Sequence, residues 1–401
     1  MPSLMTPLAV TAYTATSAIG HGLAAQFDAL QSARSGLRPN DFSDTPLPCW
    51  IGRVSGVETS PLPSAYAALA CRNNELAWLG LQQDGFLDAV STARERYGAR
   101  RVAVLLGTST ASIGFTEQAY RQLDPDGGFA DDMLRPILHT PHSLSTFVAL
   151  ALQLGGPCLT ISTACSSSAK VFASAERMLR LGLIDAAVVG GVDTLCNSVL
   201  FGFNSLQLVS TQPCRPFDAA RDGISIGEAA GFALLERVEA NPTAPRLLGY
   251  GEASDAHHMS TPHPDGLGAE LALHEGLRRA GIDTTQVSYI NLHGTASWKN
   301  DEVEAALVNR TFSKKTRASS TKGFTGHTLG AAGIVEATIA LQAIAHDFIP
   351  GNLGGETPDP QCGASFAWHN EQQRVDIALS NSFGFGGNNA CLVFGSAGAN
   401  R

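Results

Sequence analysis

Two short, uninterrupted apolar runs constrain this chain more than any other feature. Val102-Ala103-Val104-Leu105-Leu106 and Ala186-Ala187-Val188-Val189-Gly190-Gly191 carry no polar residue at alternate positions. A strand that is apolar on both faces has to be covered on both faces. Leu8-Ala9-Val10-Thr11-Ala12, Phe232-Ala233-Leu234-Leu235, Tyr289-Ile290-Asn291-Leu292, Ile377-Ala378-Leu379-Ser380 and Ala390-Cys391-Leu392-Val393-Phe394 read as further strands. Between them, apolar residues recur at helical spacing, as at Val171, Phe172, Ala175, Met178 and Leu179 before Gly182. Covered strands alternating with helices predict an α/β chain.

The element order repeats. The first half reads as a helix near 22–30, two helices over 64–98, and mixed helix and loop over 112–155, set among its strands. In the second half, the strand at 289–292 precedes a helix over Asp301–Asn309, a short strand at Ala318-Ser319-Ser320 and a long apolar helix over Gly330–His346. This predicts halves 1–245 and 246–401, linked by Glu239–Arg246 with its two prolines. The likeness is one of order, not of residue identity.

Bulk properties exclude several function classes. The chain has 401 residues, 44% of them hydrophobic, and a net charge of -9, which argues against general nucleic-acid or membrane-surface binding. No run approaches the roughly 18 apolar residues that a membrane span needs. The N-terminus shows no signal peptide. Eight scattered cysteines without a CxxC pair argue against a disulfide framework or zinc site and for a cytoplasmic location.

Four stretches carry chemistry. Cys165 ends Leu159-Thr160-Ile161-Ser162-Thr163-Ala164, which reads as a buried strand, and a helix opens near Ser168. A cysteine at such a junction sits where the helix dipole and free N–H groups favour a thiolate. Taken alone, it would more often be a small core residue. His293-Gly294-Thr295-Ala296-Ser297 follows a strand, where α/β folds place ligands. In Lys322-Gly323-Phe324-Thr325-Gly326-His327, the histidine stands just before a helix and near a cation, which keeps an imidazole neutral. The turn Asn381-Ser382-Phe383-Gly384-Phe385-Gly386-Gly387-Asn388-Asn389 is glycine-rich but leads into a strand, so it fits an acyl chain and an oxyanion better than a dinucleotide. Arg215-Pro216-Phe217-Asp218 with Arg221-Asp222-Gly223 reads as an ordered loop whose charges pair internally.

Taken in order, these motifs resemble those of the β-ketoacyl-[acyl carrier protein] synthases, elongating condensing enzymes of the thiolase fold. The likeness is strongest from about residue 155 to 395, and Ser254-Asp255-Ala256-His257-His258-Met259 resembles the type II enzymes. It implies a five-layer α-β-α-β-α fold of two similar halves, usually a homodimer, with a heterodimer of related subunits as the variant. It implies a Cys165, His293, His327 site without metal or resident cofactor, the phosphopantetheine arm being carried by the acyl carrier protein. The expected reaction is decarboxylative condensation of a Cys165-bound acyl group with a malonyl-carrier thioester. In that scheme the N–H groups of Cys165 and Phe385 form the oxyanion hole, and Lys322 sets the electrostatics of His327. Thr295 and Ser297 contact the pantetheine arm, while Phe203, Phe383 and Phe385 meet the acyl chain. Glu304 orders the lysine side, and Asp218 and Arg221 support the site.

Departures from the pattern point to a specialised fatty acyl, polyene or polyketide substrate. Trp298 and Lys299 replace the usual proline region, Asn388 replaces a threonine, and Arg72 is the sole base over 62–75. Two alternatives stand beside this reading. One is a thiolase-type acyltransferase, for which Cys391 would have to act as the base. The other is a non-catalytic chain-length subunit, which would lack the nucleophile.

Overall fold

The computed structural model describes residues 4–399. Ten strands build the centre: β1 (Leu8–Ser17), β2 (Val102–Gly107), β3 (Cys158–Ile161), β4 (Ala186–Asp193), β5 (Ala229–Arg237), β6 (Arg246–Ser254), β7 (Tyr289–Asn291), β8 (Arg317–Ser319), β9 (Ile377–Gly384) and β10 (Asn388–Gly395). Eight helices matter for the argument: α1 (Arg72–Leu81), α2 (Phe86–Tyr97), α3 (Ser143–Ala151), α4 (Ser167–Arg180), α5 (Asn197–Ser205), α6 (Leu267–Ala280), α7 (Trp298–Thr311) and α8 (Ala332–His346).

The strand order is β8-β7-β9-β10-β6-β1-β5-β4-β2-β3. Read outward from the β1–β6 seam, one half runs 1-5-4-2-3 and the other 6-10-9-7-8, the same order with five added. The senses also match. β2 is parallel to β3 and β4, as β7 is to β8 and β9. β5 is antiparallel to β4 and β1, as β10 is to β9 and β6. The repeat that residue identity hides is therefore explicit in topology.

Alternation along the strands sorts the layers. Ala187 and Val189 of β4 join α4 and α8 in a central core, while Ala186, Val188 and Val192 join α1, α2 and α3 outside. In β10, Ala390, Leu392 and Phe394 face the centre, while Cys391 and Val393 pack with α6 and α7 on the other side. Helices outside, two sheets, and α4 with α8 between them make the five layers that the resemblance implies.

Two expectations fail here. The strand before Cys165 is not buried: β3 is the outermost strand, and Leu159 is 42% exposed. Among the described residues no further strand pairs with its outer edge. Second, Leu329–His346 is long and apolar enough to cross a membrane by length and composition, but 83% of it is buried. A helix held between two sheets is apolar all round, and a count of apolar residues cannot separate that from a span.

Candidate active site

The parallel strands end on one side of the sheets, and each chemical residue follows a strand or leads into a helix there. Cys165 lies between β3 and α4, and His327 lies between β8 and α8, so nucleophile and imidazole hold equivalent places in the two halves. The elbow before Cys165 is tight. Ala164 has φ +51°, Ser166 Oγ donates to the Thr163 carbonyl at 2.9 Å, and Ser167 Oγ accepts the Thr163 N–H at 2.9 Å. His327 is fixed by its backbone: its N–H donates to the Ser225 carbonyl at 2.7 Å, and its carbonyl accepts the Gly227 N–H at 2.9 Å. His293 follows β7, where the Glu304 carboxylate accepts the N–H groups of His293 at 2.9 Å and Gly294 at 2.7 Å. Gly294 has φ +30°, and a Cβ there would strike Phe217 and Ser320, so glycine is required.

These turns bring three groups together. His327 Nε2 is 2.9 Å from Cys165 Sγ, the two imidazole centroids are 5.4 Å apart and perpendicular, and the three donor atoms lie within 4.8 Å of one another. The Phe385 N–H faces the Cys165 sulfur and favours its thiolate. Burial, and then the Lys322 charge, hold both imidazoles well below the ordinary histidine pKa, so they are neutral near pH 7. A Cys-His-His set is one that zinc accepts. The adjoining lysine cation opposes a metal there.

The cysteine does not behave as expected. Burial pushes its thiol up to about 12, against the opposing pull of Lys322 and the Phe385 N–H. Helix α4 starts two residues later, and desolvation outweighs its dipole. The resting pair is a thiol beside a neutral imidazole.

Lys322 also lies differently. Its ammonium contacts the Glu336 carboxylate and the His293 carbonyl, and reaches His293 Nδ1 at 3.5 Å. An ammonium can only donate, so Nδ1 accepts and His293 carries its proton on Nε2. Glu304, expected on the lysine side, instead holds the His293 backbone and accepts from the Asn381 amide at 3.3 Å. The acid on the lysine is Glu336, which the sequence reading passed over. Its signal was a lone charge in an apolar helix, because a buried charge requires a partner.

A cavity of about 300 Å³ opens over these groups, lined among others by Cys165, His293, His327, Thr295, Ser297, Phe203, Phe383 and Phe385. Thr295 Oγ1 and Ser297 Oγ are 2.9 Å apart at its wall, and Phe203 stacks on Phe385 at 5.4 Å. The loop charges do not pair internally: Arg221 bonds Asp359 at 2.5 Å and lies 3.7 Å from Asp301. Asp218 instead accepts N–H groups from Ala220, Glu356 and Thr357. Those two residues brace the site wall without entering the cavity. Cys391, the base a thiolase would need, is buried in the outer core away from the cavity. Arg72 is committed to Glu228 and Glu58.

Comparison with known proteins agrees with this geometry. The β-ketoacyl synthase N-terminal domain matches residues 68–241, and the β-ketoacyl synthase C-terminal domain matches 245–356. A 3-oxoacyl-[acyl-carrier-protein] synthase 2 of Coxiella burnetii is 30% identical over 96% of this chain and 97% of its own. A mitochondrial 3-oxoacyl-[acyl-carrier-protein] synthase of Arabidopsis thaliana is 38% identical over 63% of this chain, a match spanning 59% of that protein. Among solved structures, a ketosynthase in complex with its chain length factor from Xenorhabdus doucetiae superposes with a TM-score of 0.89, at 35% identity over 98% of both chains. The chain belongs to the β-ketoacyl synthase family, condensing acyltransferases of the thiolase fold.

Proposed function

We propose that Cys165, His293 and His327 carry out decarboxylative condensation on carrier-bound thioesters, for a specialised polyene or polyketide chain. The observation that carries the residue roles is the Cys165 Sγ to His327 Nε2 contact of 2.9 Å, with the Phe385 N–H on the same sulfur. His327 takes the thiol proton as Cys165 attacks the acyl thioester, and returns it to the departing carrier thiol. The N–H groups of Cys165 and Phe385 receive the oxyanion. The malonyl thioester then loses CO2. His293, through Nε2–H, binds its carbonyl as the enolate forms and attacks the acyl-Cys carbonyl, and the cysteine leaves as thiolate and takes from solvent, by way of His327, the one proton that the reaction consumes.

The phosphopantetheine arm enters past Thr295 and Ser297 and belongs to the acyl carrier protein, so the enzyme needs no cofactor of its own. The Xenorhabdus neighbour, a ketosynthase with a chain length factor, supports the specialised pathway. So does the internal pairing of Arg72, which leaves no free base over 62–75 for an acidic carrier. The exposed edge of β3 supports a dimer of thiolase-fold subunits. Eight free thiols support a cytoplasmic location.

Incubation with acyl-carrier should add one acyl mass to the wild-type protein and none to Cys165→Ala, read by intact-mass spectrometry. A stable adduct on the mutant would refute the assignment.

A further inference from the structure

Two residues outside the reaction scheme meet beside it. Lys170 lies on the first turn of α4, five residues after the nucleophile, and its ammonium donates to Asn388 Oδ1 at 3.0 Å. Asn388 opens β10, immediately after the turn that carries Phe385. Asn388 is also the position where the chain departs from the threonine of the family pattern.

The turn's two other backbone-to-backbone anchors lead elsewhere. Its Gly386 N–H donates to the Met259 carbonyl at 2.7 Å, and its Gly387 carbonyl accepts the Asp255 N–H at 2.9 Å. These tie it to the loop after β6, not to the helix of the nucleophile. Apart from the Phe385 N–H that faces the Cys165 sulfur, the turn only packs against the elbow: a Cβ on Gly384 would lie 2.8 Å from the Thr163 carbonyl oxygen and 3.2 Å from Ser166 Oγ. The Lys170 bond adds a directed link between the α4 helix and the Phe385 turn.

The chemistry of this link is unusual for a structural contact. Lys170 is half-buried, and among the described residues no carboxylate forms an ion pair with it. A half-buried ammonium ordinarily takes a carboxylate partner. An amide oxygen is a neutral acceptor that holds less tightly and releases more easily than a carboxylate. Burial lowers the pKa of Lys170 from its ordinary value, in keeping with this partial desolvation.

We propose that Lys170 is a positioning residue for Phe385: its hydrogen bond to Asn388 latches the Phe385 turn onto the helix that follows Cys165. The latch holds the Phe385 N–H on the sulfur and the Phe385 ring against Phe203, and it yields when the turn must swing to admit an acyl chain. A lysine–amide bond suits this task because it orients without locking.

The proposal rests on the reading of Cys165 as nucleophile and Phe385 as oxyanion donor, but its test does not need the natural substrate. Iodoacetamide alkylation of Cys165, followed by peptide mapping, reports access past the turn. Lys170→Met should raise that rate about fivefold or more with unchanged circular dichroism, and should lower condensation with acyl and malonyl carriers. Lys170→Arg, which can still donate to the amide, should restore both values toward wild type. Asn388→Asp, which makes an ion pair, should slow alkylation below wild type. If Lys170→Met fails to fold, Asn388→Ala serves as the same broken latch. Wild-type alkylation in whichever of these two folds would overturn the latch. If alkylation changes as expected but no acyl carrier is ever turned over, the latch stands and the substrate reading falls.

Discussion

Lys322 and Glu336 form a buried ion pair, and its loss should be felt in both stability and chemistry. Both side chains are almost wholly enclosed, and the lysine is at the same time bonded to the His293 carbonyl. Glu336→Gln keeps the shape and removes the charge. That leaves the lysine's cation buried without its counter-ion, a change expected to cost about 3 kcal/mol, the low end for breaking a buried pair. Chemical denaturation should show the loss, and malonyl decarboxylation should fall with it, since the lysine holds His293 in its Nε2–H form. An unfolding free energy within experimental error of wild type would mean that the His293 carbonyl alone holds the lysine. At this scale the motifs named Cys165, His293, Lys322 and His327, because each breaks the pattern of its surroundings with a chemical residue beside glycine. Glu336 was not named, because its helix reads as uniform core. The state of Cys165 was misread, because a helix start is visible in sequence while desolvation is a property of the packed site.

At the level of elements, most strands were legible, but β6 (Arg246–Ser254) was not, its start having been read as linker, and neither was the spacing of the strands to the helices. Runs such as Val102–Leu106 and Ala186–Gly191 announce themselves because burial on both faces leaves no room for polar alternation. The close approach of α6 to β6 is invisible until the two are placed together. Gly251 of β6 sits so near the helix that a Cβ would overlap the Ala272 carbonyl oxygen, and Gly249 beside it meets Gly276 and Ala280. This layer cannot move outward without uncovering Leu248, Leu273 and Leu277. Gly251→Ala should therefore destabilise the fold by about 3 kcal/mol or more through overpacking, measured as a lowered denaturation midpoint. An alanine tolerated there without loss would show that α6 slides on the sheet, and the five-layer packing would be looser than its core suggests.

At the scale of the whole molecule, the duplicated topology leaves one edge uncovered. Each half ends in a short parallel strand, β8 in one and β3 in the other. The outer side of β8 is covered: the Ala318 N–H donates to the Ser365 carbonyl, and the Ala318 carbonyl accepts the Ala367 N–H, each at 2.9 Å. Among the described residues β3 has no such cover, and its Leu159 is joined among the exposed apolar residues by Leu150 of α3 and by Leu134 and Ile137 of the preceding loop. An uncovered strand edge beside apolar side chains is a template for another chain. Nothing in the sequence marked β3 as an edge, since pairing order depends on residues far away in the chain. We expect the protein to sediment as a dimer of its 42.0 kDa chain, with β3 at the interface. Leu159→Arg puts a charge into that contact without touching the cavity, and should shift the protein to monomer at micromolar concentration. It should also lower condensation, because β3 leads directly into the Cys165 elbow. A wild-type protein that is monomeric at 20 μM, a concentration at which dimers with micromolar Kd persist, would assign this edge to a different subunit. A dimeric Leu159→Arg protein would place the interface elsewhere.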